Sequence, residues 1–296
     1  MSDPIASSHK PHATFYTLHA TLLTTLITFF AYRRGSLSPS GVLGALFVGT
    51  FILGFGGWSW ALLLGVFFVT SSILSHFKES EKRAAAEKFD KTHRRDLGQV
   101  LANGGVAALV ALLSVLAPSP VWFPFFLGIM ATVNADTWAT ELGTLSPHAP
   151  RLITTGRRVE VGASGAVSLL GTVVSLAGGL LIGLTAAIAR RERPTWPIVL
   201  IAGLAGLAGS LFDSLLGATV QQVYYCDHCR KETERKAHKC GRVTRPLRGW
   251  SWLNNDLVNL LASLVGGLMA LMLWLLLRQR RQRQKLPEVS GCIIGV

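Results

Sequence analysis

Residues 134–143 (NADTWATELG) place two carboxylates, Asp136 and Glu141, at the end of a strongly apolar stretch. No charged residue occurs in the preceding residues 121–133. A carboxylate in hydrocarbon needs a partner, a water-filled cavity or an ion. This segment is therefore either a solvated helix end just outside a bilayer or a polar site at its edge.

Helical spacing groups these polar residues on one face. Asn134, Thr137 and Glu141 follow the i, i+3, i+7 pattern, and Asp136 and Thr140 lie beside that stripe at i, i+4. The segment is thus predicted to be a helix with one polar face.

A third carboxylate, Asp213, interrupts a glycine-rich apolar stretch. An aspartate within such a stretch should become neutral, form a pair or bind a cation. Asp213 is therefore the strongest single candidate for a functional residue. It shares one helical stripe with Ser210, Ser214, Gly217 and Gln221.

Polar residues also cluster at the start of two other predicted spans. The two groups are Asp96, Gln99 and Asn103, and Asn255, Asp256 and Asn259. Hydrogen bonding between helices is the structural alternative to a functional role for the amides and hydroxyls. It explains an aspartate less well.

Carboxylates from separate helices are suited to holding Mg²⁺, which prefers hard oxygen ligands and often keeps phosphate oxygens in its shell. We expect Asp136, Glu141 and Asp213 to bind this ion, and Asp256 to join them in catalysis. The amides and hydroxyls near them are candidate contacts for substrate or phosphate: Asn134, Gln99, Asn103, Ser210, Ser214, Gln221, Asn255 and Asn259.

Residues 150–156 (PRLITTG) follow closely on Glu141 and have the character of a phosphate-binding segment. Arg151, Thr154 and Thr155 supply a guanidinium and two hydroxyls. We expect them, with Lys78 from a basic loop, to bind phosphate. The chain contains neither GxxxxGK[ST] nor GxGxxG, so a P-loop or a Rossmann site is not indicated.

A cysteine-rich loop adds a second type of ligand. Cys226, Cys229, His238 and Cys240 combine a Cys-x-x-Cys pair with a third cysteine and a nearby histidine. That set can hold a structural Zn²⁺ in tetrahedral coordination. Reduced free thiols are the alternative, because a second Cys-x-x-Cys is missing.

The composition is that of a membrane protein. Half of the 296 residues are hydrophobic, the mean hydropathy is +0.41 and only 15% of residues are charged, against about a quarter in soluble domains. A net charge of +13 would point to nucleic acid in a soluble protein. Here the basic residues lie between the apolar stretches, where they mark the retained side of a membrane, so we expect no nucleic-acid partner.

The predicted fold is all-α, a polytopic helical bundle with about seven to eight spans, judged by the rule of about 20 residues per span. The second and fifth spans are short, and one segment is a candidate re-entrant helix. We divide the chain into a polar tail (1–14), one membrane domain (15–277) that contains the cysteine loop (222–250), and a basic tail (278–296). The predicted spans are residues 15–32, 41–55, 58–76, 97–117, 121–134, 162–189, 197–220 and 257–277.

An eight-span count places three basic loops on one face, which the positive-inside rule makes cytoplasmic. These loops are residues 78–95, 143–161 and 226–248. The same count leaves the arginines near residue 190 and the basic tail on the opposite face, in conflict with that rule.

Five motifs together resemble the transmembrane protein 19 family, also called domain of unknown function 92. The resemblance extends over most of the chain, from about the second span to the last. The motifs are residues 95–105 (RDLGQVLANGG), 134–143 (NADTWATELG), 150–155 (PRLITT), 209–219 (GSLFDSLLGAT) and 254–259 (NNDLVN).

This resemblance implies a multi-pass membrane protein. One plant branch of the family is a plastid phytyl-phosphate kinase, so the resemblance also suggests a nucleotide-dependent kinase of a lipid monophosphate, using CTP or ATP. The start of the chain lacks the composition of a transit peptide, so we expect another isoprenoid phosphate as substrate and an endomembrane such as the endoplasmic reticulum. A cation- or proton-coupled transporter, or a lipid-handling protein without kinase activity, is the alternative.

Overall fold

The structure is a computed structural model that describes residues 13–86 and 94–285. Within these ranges the chain forms a mostly helical bundle with two small sheets. The helices are α1 (Ala13–Arg33), α2 (Pro39–Phe51) with a π-helical turn (Ile52–Gly56), α3 (Trp58–His76), α4 (Glu79–Ala86), α5 (Leu97–Leu116), α6 (Trp122–Gly143), α7 (Leu169–Ala189), α8 (Trp196–Thr219) and α9 (Asn255–Lys285).

Six helical segments in the described part of the chain are long and apolar enough to cross a membrane by length and composition. They are α2 with its π-helical turn, α3, α5, α7, α8 and α9. The other two long helices, α1 and α6, contain more polar residues. The predicted helical membrane bundle is confirmed, and the predicted span count is roughly consistent with it.

Three predicted span boundaries differ clearly from the structure. The last span was expected to end at Leu277, but α9 continues to Lys285, through residues that had been assigned to the basic tail. The fifth span was expected to end at Asn134, but α6 continues to Gly143. The sixth was expected to begin at Gly162, but α7 begins at Leu169, because the Ser168 side chain accepts a hydrogen bond from the Gly171 N–H and caps the helix. The second predicted span is completed by the π-helical turn, which lengthens it to Pro39–Gly56.

Helix α6 is the central element of the bundle. All residues from Phe126 to Ala135 are buried, so this stretch is surrounded by other helices rather than by lipid. Small residues on neighbouring helices allow the close approach: a Cβ added to Gly206 of α8 would lie 2.9 Å from the Ala131 carbonyl oxygen. Helix α9 lies just as close to α6, since Gly128 and Gly266 face each other.

Helices α1, α3, α6 and α8 end, and α2, α5, α7 and α9 begin, at one end of the bundle, which we call the polar end. Side chains cap the helices that begin there. Ser38 caps α2, Asp96 forms a capping box with Gln99 at the start of α5, and Asn254 accepts a hydrogen bond from the Leu257 N–H at the start of α9. At the opposite end, the Arg190 guanidinium makes a cation–π contact with Phe123 and lies 4.0 Å from the ring centroid.

Two small antiparallel sheets cover the polar end. Strand β1 (Arg151–Leu152) pairs with β2 (Ala166–Val167) between α6 and α7. Strands β3 (Val223–Cys226), β4 (Lys231–Thr233) and β5 (Arg245–Arg248) form a second sheet in the order β4-β3-β5 between α8 and α9. The predicted cysteine loop is therefore a small folded unit.

Candidate functional site

A cavity of about 1060 Å³ opens at the polar end of the bundle. Its walls come from α3 to α9 and from the loops that carry the two sheets. The structure brings most of the predicted site residues together here. They are Asp136, Glu141, Asp213, Asp256, Gln99, Asn103, Ser210, Ser214, Gln221, Asn255 and Asn259.

Asp136 and Asp213 come from neighbouring helices and share one wall. The Ser210 hydroxyl, one helical turn before Asp213, donates a hydrogen bond to Asp136 Oδ1 at 3.2 Å. Asp213 also lies within electrostatic range of Asp136 and of Glu234 in the loop before α9. Three carboxyl groups of like charge thus approach one another, an arrangement that a bound cation would stabilise.

One oxygen of Asp213 is left without a protein partner. Its Oδ2 atom is buried and accepts no hydrogen bond from the described residues. A buried acceptor without a partner is costly, and the cost is greater for a charged group. The donor set of carboxylates and a hydroxyl is the type that hard divalent cations prefer. The residues present therefore fit Mg²⁺.

Glu141 is held in a different way, because both of its oxygens already have partners. The Ser75 hydroxyl donates to Oε1 at 2.7 Å, and the Lys82 ammonium donates to Oε2 at 2.5 Å. Lys82 is buried and also donates to the Leu74 carbonyl oxygen at 2.6 Å. Glu141 thus fixes a buried cation in the cavity wall.

Arg95 provides a second positive charge on this side of the cavity. It immediately precedes the Asp96 cap of α5, and its guanidinium donates to the Ser72 hydroxyl at 3.4 Å. Burial lowers the pKa of Arg95, while the nearby charge of Glu141 acts in the opposite direction. Lys82 and Arg95 together supply two positive charges to the cavity wall.

The loop between α8 and α9 forms the outer wall. Glu234 Oε1 accepts hydrogen bonds from Gln221 at 2.7 Å and from the Ser164 hydroxyl at 3.1 Å. Arg248 donates to the carbonyl oxygens of Gly217 and Ser164, which fixes β5 to the membrane domain. Three further basic residues of this loop line the cavity: Arg235, Lys236 and Lys239.

Five of the predicted phosphate-binding residues do not line the cavity. Lys78 is exposed and pairs with Glu81 at 3.1 Å in the turn that starts α4. One helical turn later, Lys82 is buried and takes the position in the wall that had been expected for Lys78.

The segment that contains Arg151, Thr154 and Thr155 lies outside the cavity as well. The Arg151 guanidinium donates to the Gly156 carbonyl oxygen at 2.8 Å, which closes the turn after β1. The three side chains are exposed, and only Pro150 of this motif reaches the cavity wall.

Asn134 is fully buried and lies outside the cavity. Its amide joins three helices: Oδ1 accepts from Thr70 of α3 at 3.0 Å, and Nδ2 donates to the Gly178 carbonyl oxygen of α7 at 2.8 Å. These contacts correspond to the interhelical alternative for a buried amide.

The cavity contains functional candidates that the sequence did not reveal. Glu234, Arg235, Lys236 and Lys239 belong to an irregular loop, where no periodicity relates a residue to a site. Lys82 was visible only as a member of a basic run, and Arg95 also as the first residue of a motif; their positions in the wall depend on contacts with α3 and α6.

The four predicted zinc ligands form a separate cluster at the far end of the β4-β3-β5 sheet. The ligand atoms of Cys226, Cys229, His238 and Cys240 all lie within 4.8 Å of one another. A hydrogen bond from the Arg242 backbone N–H lowers the pKa of Cys240 to about 6. The described cysteines form no disulfide.

Taken together, the cavity combines carboxylates that can hold a divalent cation with buried and loop cations that can neutralise phosphate. Its position at the membrane surface suits a ligand with a polar head and an apolar tail.

Comparison with known proteins identifies the family. The model of the integral membrane protein family DUF92 matches residues 22–267. Protein PGR of Arabidopsis thaliana is 33% identical over 85% of this chain and 93% of its own length. An uncharacterized membrane protein of Methanocaldococcus jannaschii is 32% identical over 86% of this chain and 92% of its own.

A third relative is protein VTE6, chloroplastic, of Arabidopsis thaliana. It is 26% identical over 80% of this chain and 65% of its own length. No solved structure matches the chain. The extent of the family match shows that the chain belongs to the integral membrane protein DUF92 family.

Proposed function

We propose that this protein is a kinase that transfers a phosphoryl group from a nucleoside triphosphate to an isoprenoid monophosphate at the membrane surface. The observation that carries the proposal is one cavity lined both by Asp136, Asp213 and Asp256 and by the cationic residues Lys82 and Arg95. Phosphoryl transfer requires positioning and charge neutralisation more than covalent chemistry by the protein.

The cavity contains cations for two phosphate groups. Lys82 and Arg95 are held in fixed positions by α3 and α6 and would receive the phosphate of the lipid substrate. Arg235, Lys236 and Lys239 lie in the outer loop and would bind the triphosphate that enters from solvent. The two substrates would then meet beside the aspartates.

Asp136 and Asp213 would hold Mg²⁺, since their donor set fits that ion and Asp213 Oδ2 has no partner among the described residues. When bound, Mg²⁺ would neutralise negative charge on the phosphate groups. Because Lys82 and Ser75 already engage Glu141, we assign this carboxylate to positioning Lys82 rather than to metal binding.

The reaction needs no strong general base. An oxygen of the lipid monophosphate is already anionic and attacks the terminal phosphorus of the triphosphate. The bond between that phosphorus and the bridging oxygen breaks, the nucleoside diphosphate leaves with the electron pair, and a lipid diphosphate forms. In the protein, Lys82 and Arg95 would orient the attacking phosphate.

Exposed leucines next to the cavity would accommodate an apolar tail. Leu169 follows the Ser168 cap of α7, and Leu215 follows Ser214 of α8; both serines line the cavity. Within a bilayer these leucines would face lipid. A lipid phosphate could therefore place its head in the cavity while its tail remains in the membrane.

The family relation supports the same class of reaction. The motifs from Asp96 to Asn259 resemble a family that has a phytyl-phosphate kinase branch, and one relative is the chloroplastic protein VTE6. The more extensive basic loops of the polar end favour a cytoplasmic position for it under the positive-inside rule, and nucleoside triphosphates are abundant there. We propose an endomembrane location.

Purified protein with radiolabelled CTP or ATP, Mg²⁺ and a panel of prenyl monophosphates tests the proposal. We expect labelled prenyl diphosphate from wild-type protein and from Glu192→Gln, which removes a carboxylate at the opposite end of the bundle. Asp213→Asn should form none. Absence of transfer to every lipid by folded wild-type protein would overturn the kinase.

The alternative is a transporter in which the aspartates carry a coupling cation or proton. The observation that favours it is the likeness of Asp136-Thr137 on α6 to Asp213-Ser214 on α8. These pairs lie on neighbouring helices that both end at the polar end. Cation-dependent uptake into proteoliposomes, without phosphoryl transfer, would support this function.

A further inference from the structure

We propose that Cys226, Cys229, His238 and Cys240 bind one structural Zn²⁺, and that this ion fixes the basic outer wall of the cavity. The zinc assignment depends only on the geometry of the four ligands. That the fixed wall then positions cations for a nucleoside triphosphate rests on the kinase proposed above.

The cluster has the dimensions of a tetrahedral zinc site. The Sγ atoms of Cys226 and Cys240 are 3.7 Å apart, and the four ligand atoms lie within 4.8 Å of one another. Zinc–sulfur bonds of about 2.3 Å in a tetrahedron place two sulfurs about 3.8 Å apart. The ligands thus lie close to the positions they would take around the ion.

Two tight turns present these ligands to each other. One is the hairpin between β3 and β4, which contains Cys226 and Cys229. The other is closed by hydrogen bonds from the His238 N–H to the Arg242 carbonyl oxygen and from the Gly241 N–H to the His238 carbonyl oxygen, both 2.9 Å. Paired turns of this kind are typical of zinc knuckles.

The folded loop has little hydrophobic core of its own. Among the residues between α8 and α9, the buried hydrophobic side chains are Val223, Cys226 and Leu253. A unit this small usually needs a metal or a disulfide for stability, and the described cysteines form no disulfide. Zinc would supply that stabilisation, since its binding free energy contributes directly to folding.

The ion would also determine where the basic residues lie. Lys239, which lines the cavity, stands between the ligands His238 and Cys240. Lys236 lies two residues before His238 and lines the cavity too. At the other end of the sheet, Gln221 and Arg248 join the loop to the membrane domain. With both ends fixed, the loop holds its cations over the cavity.

Metal analysis of the purified full-length protein tests the site directly. We expect about one zinc per chain in the wild type and in the matched control Cys292→Ser, which makes the same change at a cysteine that is not one of the four proposed ligands. Cys229→Ser and Cys240→Ser should each lose most of the metal. Zinc-free wild type, or zinc unaffected by either variant, would overturn the proposal.

Cobalt substitution provides a readout that does not depend on the variants folding. Wild-type protein stripped of zinc and loaded with Co²⁺ should show thiolate-to-cobalt charge-transfer absorption and the intense visible bands of tetrahedral coordination. An octahedral cobalt spectrum without thiolate bands would overturn the assignment. This measurement requires no kinase activity, so its outcome is separate from that of the proposed function.

Limited trypsin digestion tests whether zinc fixes the wall. Chelation should speed cleavage among Arg235, Lys236, Lys239 and Arg242 by about tenfold or more, as expected for local unfolding. Added zinc should restore protection. Unchanged cleavage after verified metal removal would show that zinc does not hold the loop.

Discussion

Asp213 and Glu141 are both carboxylates in the cavity wall, yet their oxygens are satisfied differently. Glu141 is held by Ser75 and Lys82, whereas Asp213 Oδ2 is buried and has no hydrogen-bond partner among the described residues. A group whose hydrogen bonds are complete stabilises the structure. A buried charged oxygen without them is a candidate for ligand binding.

Asp213→Asn should therefore abolish function while leaving the fold intact. Asparagine keeps the shape and removes the charge that would hold the cation, so we expect a loss of at least about 100-fold in kcat with Mg²⁺. Transfer assays measure the loss, and thermal unfolding in detergent checks the fold. A variant that unfolds would instead indicate that Asp213 is a structural residue.

Lys82→Met should reduce both activity and stability, because it leaves Glu141 without its cationic partner. Glu141 is partly exposed, so solvent screening limits the cost to about 1–3 kcal/mol. The matched control Lys78→Met removes an exposed charge and should change stability by less than about 0.5 kcal/mol. Thermal unfolding compares the two variants.

Adding Glu141→Gln to Lys82→Met separates the two roles of the lysine. The double variant no longer contains an unpaired carboxylate, so most of the stability should return, while transfer activity should stay low. Recovery of activity along with stability would show that Lys82 does not contact substrate.

At the scale of helices, the apolar stretches of the sequence predicted most of the elements, because a helix that crosses a bilayer must be apolar over about 20 residues. The errors have physical causes. Residues 162–168 are small and uncharged, yet Ser168 caps α7 and keeps them out of the helix. Helix α6 continues past Asn134 because Thr70 and Gly178 form hydrogen bonds with the Asn134 side-chain amide. Hydropathy does not reveal such contacts between helices.

The site was predictable to the extent that it lies on helices. The stripe of Ser210, Asp213 and Ser214 correctly predicted one shared face. Lys82, which lies in the short polar helix α4, and the loop residue Glu234 could not be identified in this way, because contacts between distant segments decide where they lie. Arg151 was predicted to bind phosphate from its charge and its closeness to Glu141 in the sequence. Neither property determines where the side chain lies, and it lies outside the cavity.

Close helix packing predicts a specific sensitivity at Gly206. A Cβ at this position would lie 2.9 Å from the Ala131 carbonyl oxygen and 3.1 Å from Gly179 Cα, so α8 would have to move away from α6 and α7. We expect Gly206→Ala to destabilise the bundle by about 1–3 kcal/mol.

Gly65→Ala is the matched control, since a Cβ there meets no atom within 4 Å. Helix propensity favours alanine over glycine, so the stability of the Gly65→Ala variant should be equal to that of the wild type or slightly higher. Thermal unfolding in one detergent compares the two variants. Equal stability of both would contradict the close packing of α6, α7 and α8.

At the scale of the whole molecule, the helix order places the cavity, both sheets and the basic loops at one end. The loops near residues 57, 119 and 192 lie at the other end. The arginines near residue 190 and the basic end of α9 remain at that opposite end, as the eight-span count predicted. Basic residues at both ends thus act in opposite directions under the positive-inside rule. The more extensive basic loops of the polar end favour placing that end in the cytoplasm.

Cysteine labelling in sealed vesicles tests this orientation. Thr155 and Ser119 are exposed in loops at opposite ends of the bundle. In cytoplasmic-side-out vesicles, a membrane-impermeant maleimide should label Thr155→Cys at once and Ser119→Cys only after permeabilisation, with wild-type protein as the background. The reverse pattern would place the cavity on the side that lacks nucleoside triphosphates, which is incompatible with the kinase and compatible with a transporter.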